Sequence, residues 1–117
     1  MTATRYLASF CLLLALSASP AFAGNIDEFV TFRFNDGSSY AEQVAVMHKL
    51  DGVISPLDGF VSREYFYDRA DQQWLDHLVW TSLEAADASQ KLLQQPDIAA
   101  IFNRFSGAVI TRYERVK

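Results

Sequence analysis

The stretch that decides the fold covers residues 59–80 and reads GFVSREYFYDRADQQWLDHLVW. It holds two runs in which aromatic and polar residues alternate with the period of a β-strand, and a polar turn over residues 68–73 joins them. The stretch therefore predicts a β-hairpin. In its second strand, alternation places Trp74, Asp76 and Trp80 on one face.

A strand and a helix are predicted before the hairpin. Residues 28–34 alternate two sets of side chains, one of them strongly apolar. A helix then begins near Tyr40, because Ser39 and Glu42 have the spacing of a capping box, and Pro56 ends it. The helix face that we expect to be buried carries Val46, Met47, Leu50, Val53 and Ile54.

A second helix and a last strand are predicted after the hairpin. The helix is capped by residues 81–82 and runs to about Gln95, Pro96 begins a short further helix that residues 106–107 close, and the strand covers residues 108–116. The order strand, helix, strand, strand, helix, strand is that of the split βαβ, or ferredoxin-like, α+β fold. We expect a four-stranded antiparallel sheet with both helices on one face.

The other face of this sheet would be bare, and the hairpin strands are apolar or aromatic on both alternating sets. An exposed aromatic sheet face would be a sticky patch on a monomer, so the pattern predicts a homodimer with a second copy packed against that face. Alternation separates His77 from Asp76, and we expect His77 to point towards the helices.

The first 23 residues have the pattern of a secretory signal peptide. Arg5 provides the positive charge, an apolar run follows over residues 7–16, and residues 21–23 read AFA, a signal-peptidase pattern. The apolar run is short of the ~20 residues that span a bilayer, which disfavours a membrane anchor. We therefore expect export to the periplasm or the medium, and a mature domain of residues 24–117 without a membrane segment.

Composition excludes several classes of function. The chain has a formal net charge of −4 and no basic run, so nucleic-acid binding lacks its electrostatic basis. The one cysteine, Cys11, lies in the predicted signal peptide, and His48 and His77 are not grouped with carboxylates at metal-ligand spacing. No glycine-rich phosphate loop occurs. We therefore expect neither a metal site nor a cofactor.

Five motifs make the chain resemble the dimeric α/β-barrel superfamily, and within it the antibiotic-biosynthesis-monooxygenase-like (ABM-like) group. They are GFVSR at residues 59–63, WLD at 74–76, WTSLEAA at 80–86, QPD at 95–97 and IF at 101–102. The resemblance implies a dimeric α/β barrel with a cavity between sheet and helices. Relatives of this kind include cofactor-free oxygenases of polycyclic phenols, haem-degrading enzymes and simple binding proteins, so the resemblance does not select a function.

Asp76 and Trp80 are the candidate catalytic residues. The resemblance implies that Trp80 lies in the cavity wall, and the alternative is that it only fills the core. Asp76 would be a cavity acid or base with a raised pKa, or else the partner of an arginine. The arginines that neighbouring strands offer are Arg33, Arg63 and Arg112.

The candidate ligand-binding residues are Trp74, Tyr65, Tyr67, His77 and Arg63. The tyrosine hydroxyls could contact a phenolic or quinone-like ligand, although strand propensity alone also explains these aromatic residues. Three functional hypotheses follow: binding of a small apolar or aromatic molecule, cofactor-independent monooxygenation of a phenolic or quinone-type substrate, and a purely structural or interaction module. A ligand-sized cavity distinguishes the first two from the third, which expects a filled, dry interior.

Overall fold

A computed structural model describes residues 24–116, and the predicted signal peptide lies outside this range. The described chain forms, in order, β1 (Ile26–Phe34), α1 (Tyr40–Ile54), β2 (Phe60–Asp68), β3 (Gln73–Trp80), α2 (Leu83–Leu92), α3 (Pro96–Phe102) and β4 (Phe105–Glu114). All strand pairs are antiparallel and the strand order is β2-β3-β1-β4. The predicted α+β ferredoxin-like fold is confirmed.

The first helix forms as its sequence predicts. The Ser39 hydroxyl accepts a hydrogen bond from the Glu42 backbone N–H, and the Glu42 side chain accepts one from the Ser39 backbone N–H. These two bonds satisfy donors that a helix start otherwise leaves unpaired. Of the predicted apolar face, Met47, Leu50 and Ile54 are buried against the sheet, whereas Val46 and Val53 are only half-buried.

The bounds after the hairpin differ from the prediction. Helix α2 ends at Leu92 instead of Gln95, four residues before Pro96 begins α3. Strand β4 begins at Phe105, so Ser106 and Gly107 belong to the strand and do not close the preceding helix. The physical reason is pairing with β1: Phe105 lies opposite Phe34 and stacks on Phe32, with ring centroids 4.1 Å apart.

All three helices contact one face of the sheet. From β3 this face carries Trp74, Asp76, Leu78 and Trp80, and from β1 it carries Glu28, Val30, Phe32 and Phe34. His77 therefore lies on the opposite, exposed face, and the prediction that it points towards the helices is wrong. Both alternating sets of β3 contain apolar residues, so alternation separates the faces without showing which one the helices cover.

A register shift in the hairpin determines the face on which Phe60 lies. Phe60 pairs with Trp80, but the next pair joins Ser62 to Val79, which leaves Val61 as a bulge. Phe60 therefore shares the helix-covered face with Trp80, and their rings meet edge to face at 5.9 Å. Without the bulge, alternation would place Phe60 on the same face as Ser62.

Gly59, at the start of the hairpin, permits close packing against α2. Its φ of +81° lies in the left-handed region that glycine adopts without strain. A Cβ at this position would lie 2.4 Å from the Ala85 Cβ. The backbone of the hairpin can therefore approach the first turn of α2 because residue 59 has no side chain.

The exposed sheet face carries large apolar side chains. Phe66, Val109 and Tyr113 are more than half exposed, and Phe29 stacks on the His77 ring at 4.4 Å. Within residues 24–116, no helix is both long and apolar enough to cross a membrane.

Candidate functional site

A cavity of about 450 Å³ lies between the sheet and the helices. This volume is within the range of small-molecule sites. Most of its wall is apolar and comes from β1, β3, β4 and all three helices. The lining residues are Glu28, Val30, Phe32, Leu50, Ile54, Asp76, Leu78, Trp80, Ser89, Gln90, Leu93, Gln94, Ala99, Phe102, Asn103, Phe105, Ala108 and Ile110.

Both candidate catalytic residues line the cavity, and both are buried. Asp76 is 5% exposed, and Trp80 is fully buried. Arg63 is the partner of Asp76: its Nε donates to Oδ1 at 2.9 Å and to Oδ2 at 3.1 Å, and its Nη2 donates to Oδ2 at 2.8 Å. A fork of this kind matches the two oxygens of an ionised carboxylate.

Arg63 also ties the sheet to helix α1. Its Nη1 donates to the Met47 carbonyl oxygen at 2.8 Å and to Asp51 Oδ1 at 2.6 Å. The Tyr65 hydroxyl donates to the other Asp51 oxygen at 2.9 Å, and the guanidinium lies 4.2 Å from the Tyr65 ring centroid. The side chain of Arg63 is only 2% exposed, and protein groups accept its hydrogen bonds in place of water.

A second buried carboxylate, Glu28, forms the other polar part of the wall. It is 4% exposed. Its Oε1 accepts a hydrogen bond from Trp80 Nε1 at 3.1 Å, and its Oε2 accepts one from Arg112 Nε at 2.7 Å. Arg112 also pairs with Asp87 on α2 and reaches the Ala86 carbonyl oxygen.

Opposing effects act on the protonation of Asp76. Burial raises the pKa of Asp76 above its usual value, and the hydrogen bonds and charge of Arg63 oppose that rise. The nearby negative charges of Asp51 and Glu28 add to the increase. In the same cluster, burial and the hydrogen bond to Asp51 raise the pKa of the Tyr65 hydroxyl.

The other aromatic candidates lie on the helix-covered face, outside the cavity lining. Trp74 Nε1 donates to Gln43 Oε1 of α1 at 3.0 Å, and the Tyr67 and Trp74 ring centroids are 4.8 Å apart. Tyr65 and Arg63 belong to the Asp51 cluster. Of the described residues predicted to act at a site, the cavity wall thus brings together Asp76 and Trp80 but not Trp74, Tyr65, Tyr67, Arg63 or His77.

His77 belongs to a separate cluster on the exposed face. Its Nε2 lies 2.8 Å from Asp27 Oδ1, and Arg115 Nε donates to Asp27 Oδ2 at 2.9 Å. The pKa of Asp27 is lowered, chiefly by the Arg115 hydrogen bond. His48 lies on the exposed side of α1, and its ring approaches Tyr65 at 6.1 Å.

Sequence reasoning missed Glu28 and Ser89. Glu28 is in phase with Val30 and Phe32, and a carboxylate in phase with an apolar strand face must be paired. Arg112 holds a matching position on the last strand, opposite Glu28 in the register. Ser89 is buried one helical turn from Ala86, and its position on the apolar face of α2 was the available signal.

Comparison with known proteins supports the fold through structure alone. No family model matches the sequence, and no curated protein matches it. SnoaB, a cofactor-independent oxygenase from Streptomyces nogalater, superposes with a TM-score of 0.65 at 19% identity, over 81% of this chain and 96% of that one.

Two further solved structures show the same likeness. A candidate antibiotic biosynthesis monooxygenase from Bordetella bronchiseptica has a TM-score of 0.64 at 14% identity, covering 80% of this chain and 99% of that one. A protein of unknown function from Bacteroides thetaiotaomicron has a TM-score of 0.60 at 13% identity, covering 80% and 99%. The described chain thus shares the fold of these solved structures, which is the fold that its motifs predict.

Proposed function

We propose that this protein binds a small, largely apolar or aromatic molecule in the cavity between the sheet and the helices. The observation that carries the proposal is the cavity itself, with about 450 Å³ of space and an aromatic and aliphatic wall. Glu28 and Asp76 give this wall a small number of fixed polar groups, which is the composition of a ligand site. A purely structural module with a dry, filled interior does not account for this space.

A cavity-filling variant tests the proposal. Ala99 lines the cavity from α3, whereas Ala100, the next residue, is exposed. We expect Ala99→Phe to abolish binding of bicyclic aromatic probes measured by isothermal titration calorimetry, and Ala100→Phe to leave it unchanged. Circular dichroism establishes that both variants fold. Equal binding by the two folded variants would place the ligand elsewhere.

The homodimer belongs to the same proposal. Phe66, Val109 and Tyr113 are 53%, 59% and 58% exposed on the helix-free face, where a second copy would bury them. We expect Val109→Glu to shift the protein towards monomer in sedimentation velocity. Leu92→Glu, at a residue that is 46% exposed on α2, is the control and should not do so. A wild-type protein that is monomeric at micromolar concentration would contradict the dimer.

Export is also proposed, on the signal-peptide pattern of residues 1–23. When the full chain is expressed in a bacterial host, we expect the mature protein to begin at Gly24 in intact-mass measurements. Ala23→Arg should block this cleavage, because the signal peptidase requires a small residue there. An intact N-terminus on the wild-type protein would refute the assignment.

Cofactor-independent oxygenation is a second candidate function. The buried carboxylate of Asp76 in the cavity wall favours it, because a carboxylate whose pKa is raised by burial is a stronger base. In this proposal Asp76 accepts a proton from a phenolic substrate, and the resulting anion reduces molecular oxygen. One oxygen atom enters the ring to give a quinone, and the other leaves as water with the two hydrogens that the substrate loses. Oxygen-electrode measurements with polycyclic phenols test it. Uptake that persists unchanged in folded Asp76→Asn would remove Asp76 from the reaction.

A further inference from the structure

The buried polar groups of the cavity wall accept hydrogen bonds but have no proton left to donate. Trp80 Nε1–H is used by Glu28, and the Ser89 hydroxyl donates to the Ala86 carbonyl oxygen at 2.7 Å. Asp76 and Glu28 are carboxylates held by guanidinium groups, so they act as acceptors. A ligand group that reaches this part of the wall must therefore bring its own N–H or O–H.

Both carboxylates retain acceptor capacity. A carboxylate offers about four lone-pair sites. Asp76 accepts three hydrogen-bond contacts, all from Arg63, and Glu28 accepts two, from Trp80 and Arg112. Glu28 is therefore the less saturated of the two, and its unused sites belong to a side chain that lines the cavity.

The charge balance of the cavity lining is negative. Its charged side chains are the carboxylates of Asp76 and Glu28, and their partners Arg63 and Arg112 lie outside the lining. Among residues 24–116, none of the lysines or arginines lines the cavity. Charges in a partly buried site are screened less than charges in water, so the balance disfavours an anionic ligand and favours a cation.

The rest of the cavity wall suits the apolar part of a ligand whose charged group lies beside Glu28 and Asp76. Phe32, Trp80, Phe102 and Phe105 line the cavity with aromatic rings. Ring faces attract ammonium groups and do not attract carboxylates. The amides of Gln90, Gln94 and Asn103 can donate hydrogen bonds; Gln94 and Asn103 are exposed, and Gln90 is half-buried. None of the three is buried as Glu28 and Asp76 are.

We infer that the ligand is an organic amine: a small aromatic or aliphatic body whose protonated amino group donates hydrogen bonds to Glu28 and Asp76. The inference rests on the proposed binding function and specifies its ligand class. Anionic ligands such as aromatic carboxylates, and ligands that only accept hydrogen bonds, find no matching group on the buried wall.

Three matched probes test the inference on the unmodified protein. They are 1-naphthylmethylamine, protonated at about pH 7, 1-naphthylmethanol and 1-naphthoate, with dissociation constants from calorimetry. We expect the ammonium probe to bind about tenfold more tightly than the alcohol, and the carboxylate to bind most weakly. If the alcohol or the carboxylate binds as tightly as the ammonium, the inference is wrong. If none of the three binds, the proposed binding function itself fails.

A pair of variants then tests whether Glu28 binds the ammonium group. Glu28→Gln removes a negative charge from the wall, and we expect it to weaken ammonium binding about tenfold while changing alcohol binding much less. Asp87→Asn is the control, because Asp87 also pairs with Arg112 but lies outside the lining; it should change ammonium affinity by less than about twofold. Equal losses for both probes in Glu28→Gln would contradict the inference. The wild-type probe series decides alone if that variant fails to fold.

Discussion

The two ends of the helix-covered sheet face hold arginine clusters of the same design. Arg63 on the edge strand β2 and Arg112 on the edge strand β4 each reach a buried carboxylate on an inner strand, Asp76 or Glu28. Each arginine also contacts an aspartate and a backbone carbonyl oxygen of the covering helix. The split βαβ fold repeats the same βαβ element twice, and the two clusters occupy corresponding places in it.

The two clusters differ in how many acceptor sites of the buried carboxylate are occupied by hydrogen bonds. Asp76 receives every hydrogen bond from a guanidinium whose side chain is 2% exposed, whereas Glu28 shares its oxygens between Trp80 and an Arg112 that is 12% exposed. The Arg63 cluster is therefore the more rigid and the more costly to break. Glu28 accepts fewer hydrogen bonds than Asp76 and also lines the cavity, so the Arg112 cluster is the end of the sheet better suited to a ligand.

The largest expected effect is that of Arg63→Ala. It leaves Asp76 buried without a partner, and breaking a buried pair from one side costs about 3–5 kcal/mol of the free energy of unfolding. Urea denaturation measures the loss. The double variant Arg63→Met with Asp76→Leu removes both charges, and we expect it to recover most of the stability. A double variant as unstable as the single one would show that packing, not charge, explains the effect.

Arg112→Ala removes the corresponding arginine from the other cluster. Glu28 keeps the Trp80 hydrogen bond, so we expect a smaller loss, of about 2 kcal/mol. The same urea series provides the comparison. If Arg112→Ala costs as much as Arg63→Ala, the two clusters are equivalent, and the greater saturation of Asp76 has no energetic consequence.

Trp80→Phe tests the hydrogen bond that distinguishes the Glu28 cluster. The variant deletes the donor to Glu28 while retaining an aromatic ring, and we expect it to cost about 1–2 kcal/mol in thermal or urea unfolding. Combined with Arg112→Ala, it should cost more than the sum of the single changes, because Glu28 then loses both of its partners. Strict additivity would show that the two partners do not act on a common carboxylate.

The smallest effect is expected at Asp27, which pairs with a half-exposed Arg115 on the opposite sheet face. Because the pKa of Asp27 is lowered in the folded protein, its stabilisation is present above the usual value of 3.8 and is lost as the pH falls through the folded value. Below about pH 4, the free energy of unfolding of Asp27→Asn should depend less on pH than that of the wild-type protein, as measured by urea unfolding. High salt should reduce this pH dependence in the wild-type protein, because it screens the Asp27–Arg115 ion pair. If Asp27→Asn has the same pH dependence as wild type at acid pH, Asp27 is not its source.

Local patterns in the sequence predicted the elements because local physics determines them. The Ser39–Glu42 capping box, the turn after Asp68 and the stop at Pro56 each act over a few residues, and each lies where the sequence predicts. The predicted start of β4 was wrong because Phe105 pairs with residues on β1 that are distant in the sequence. Long-range pairing overrides a helix-closing signal such as Ser-Gly.

The candidate site was only partly predictable for the same reason. Asp76 and Trp80 stand out within the hairpin, and both line the cavity. The face of His77 could not be derived, because both sets of β3 contain apolar side chains. Glu28 depends on an arginine 84 residues away, and no local pattern connects the two.

The separation of these partners along the chain has a consequence for how the protein is assembled. Arg63 finds Asp51 and Asp76 within 12 and 13 residues, so its cluster needs only a short, contiguous part of the chain. Arg112 must close a loop of 84 residues to reach Glu28, and the same strand supplies Ala108 and Ile110 to the cavity wall. Closing a longer loop costs more chain entropy, and the cavity wall is complete only after β4 has been synthesised and has paired with β1. A truncated or stalled chain could thus hold one ion cluster and still have no binding site.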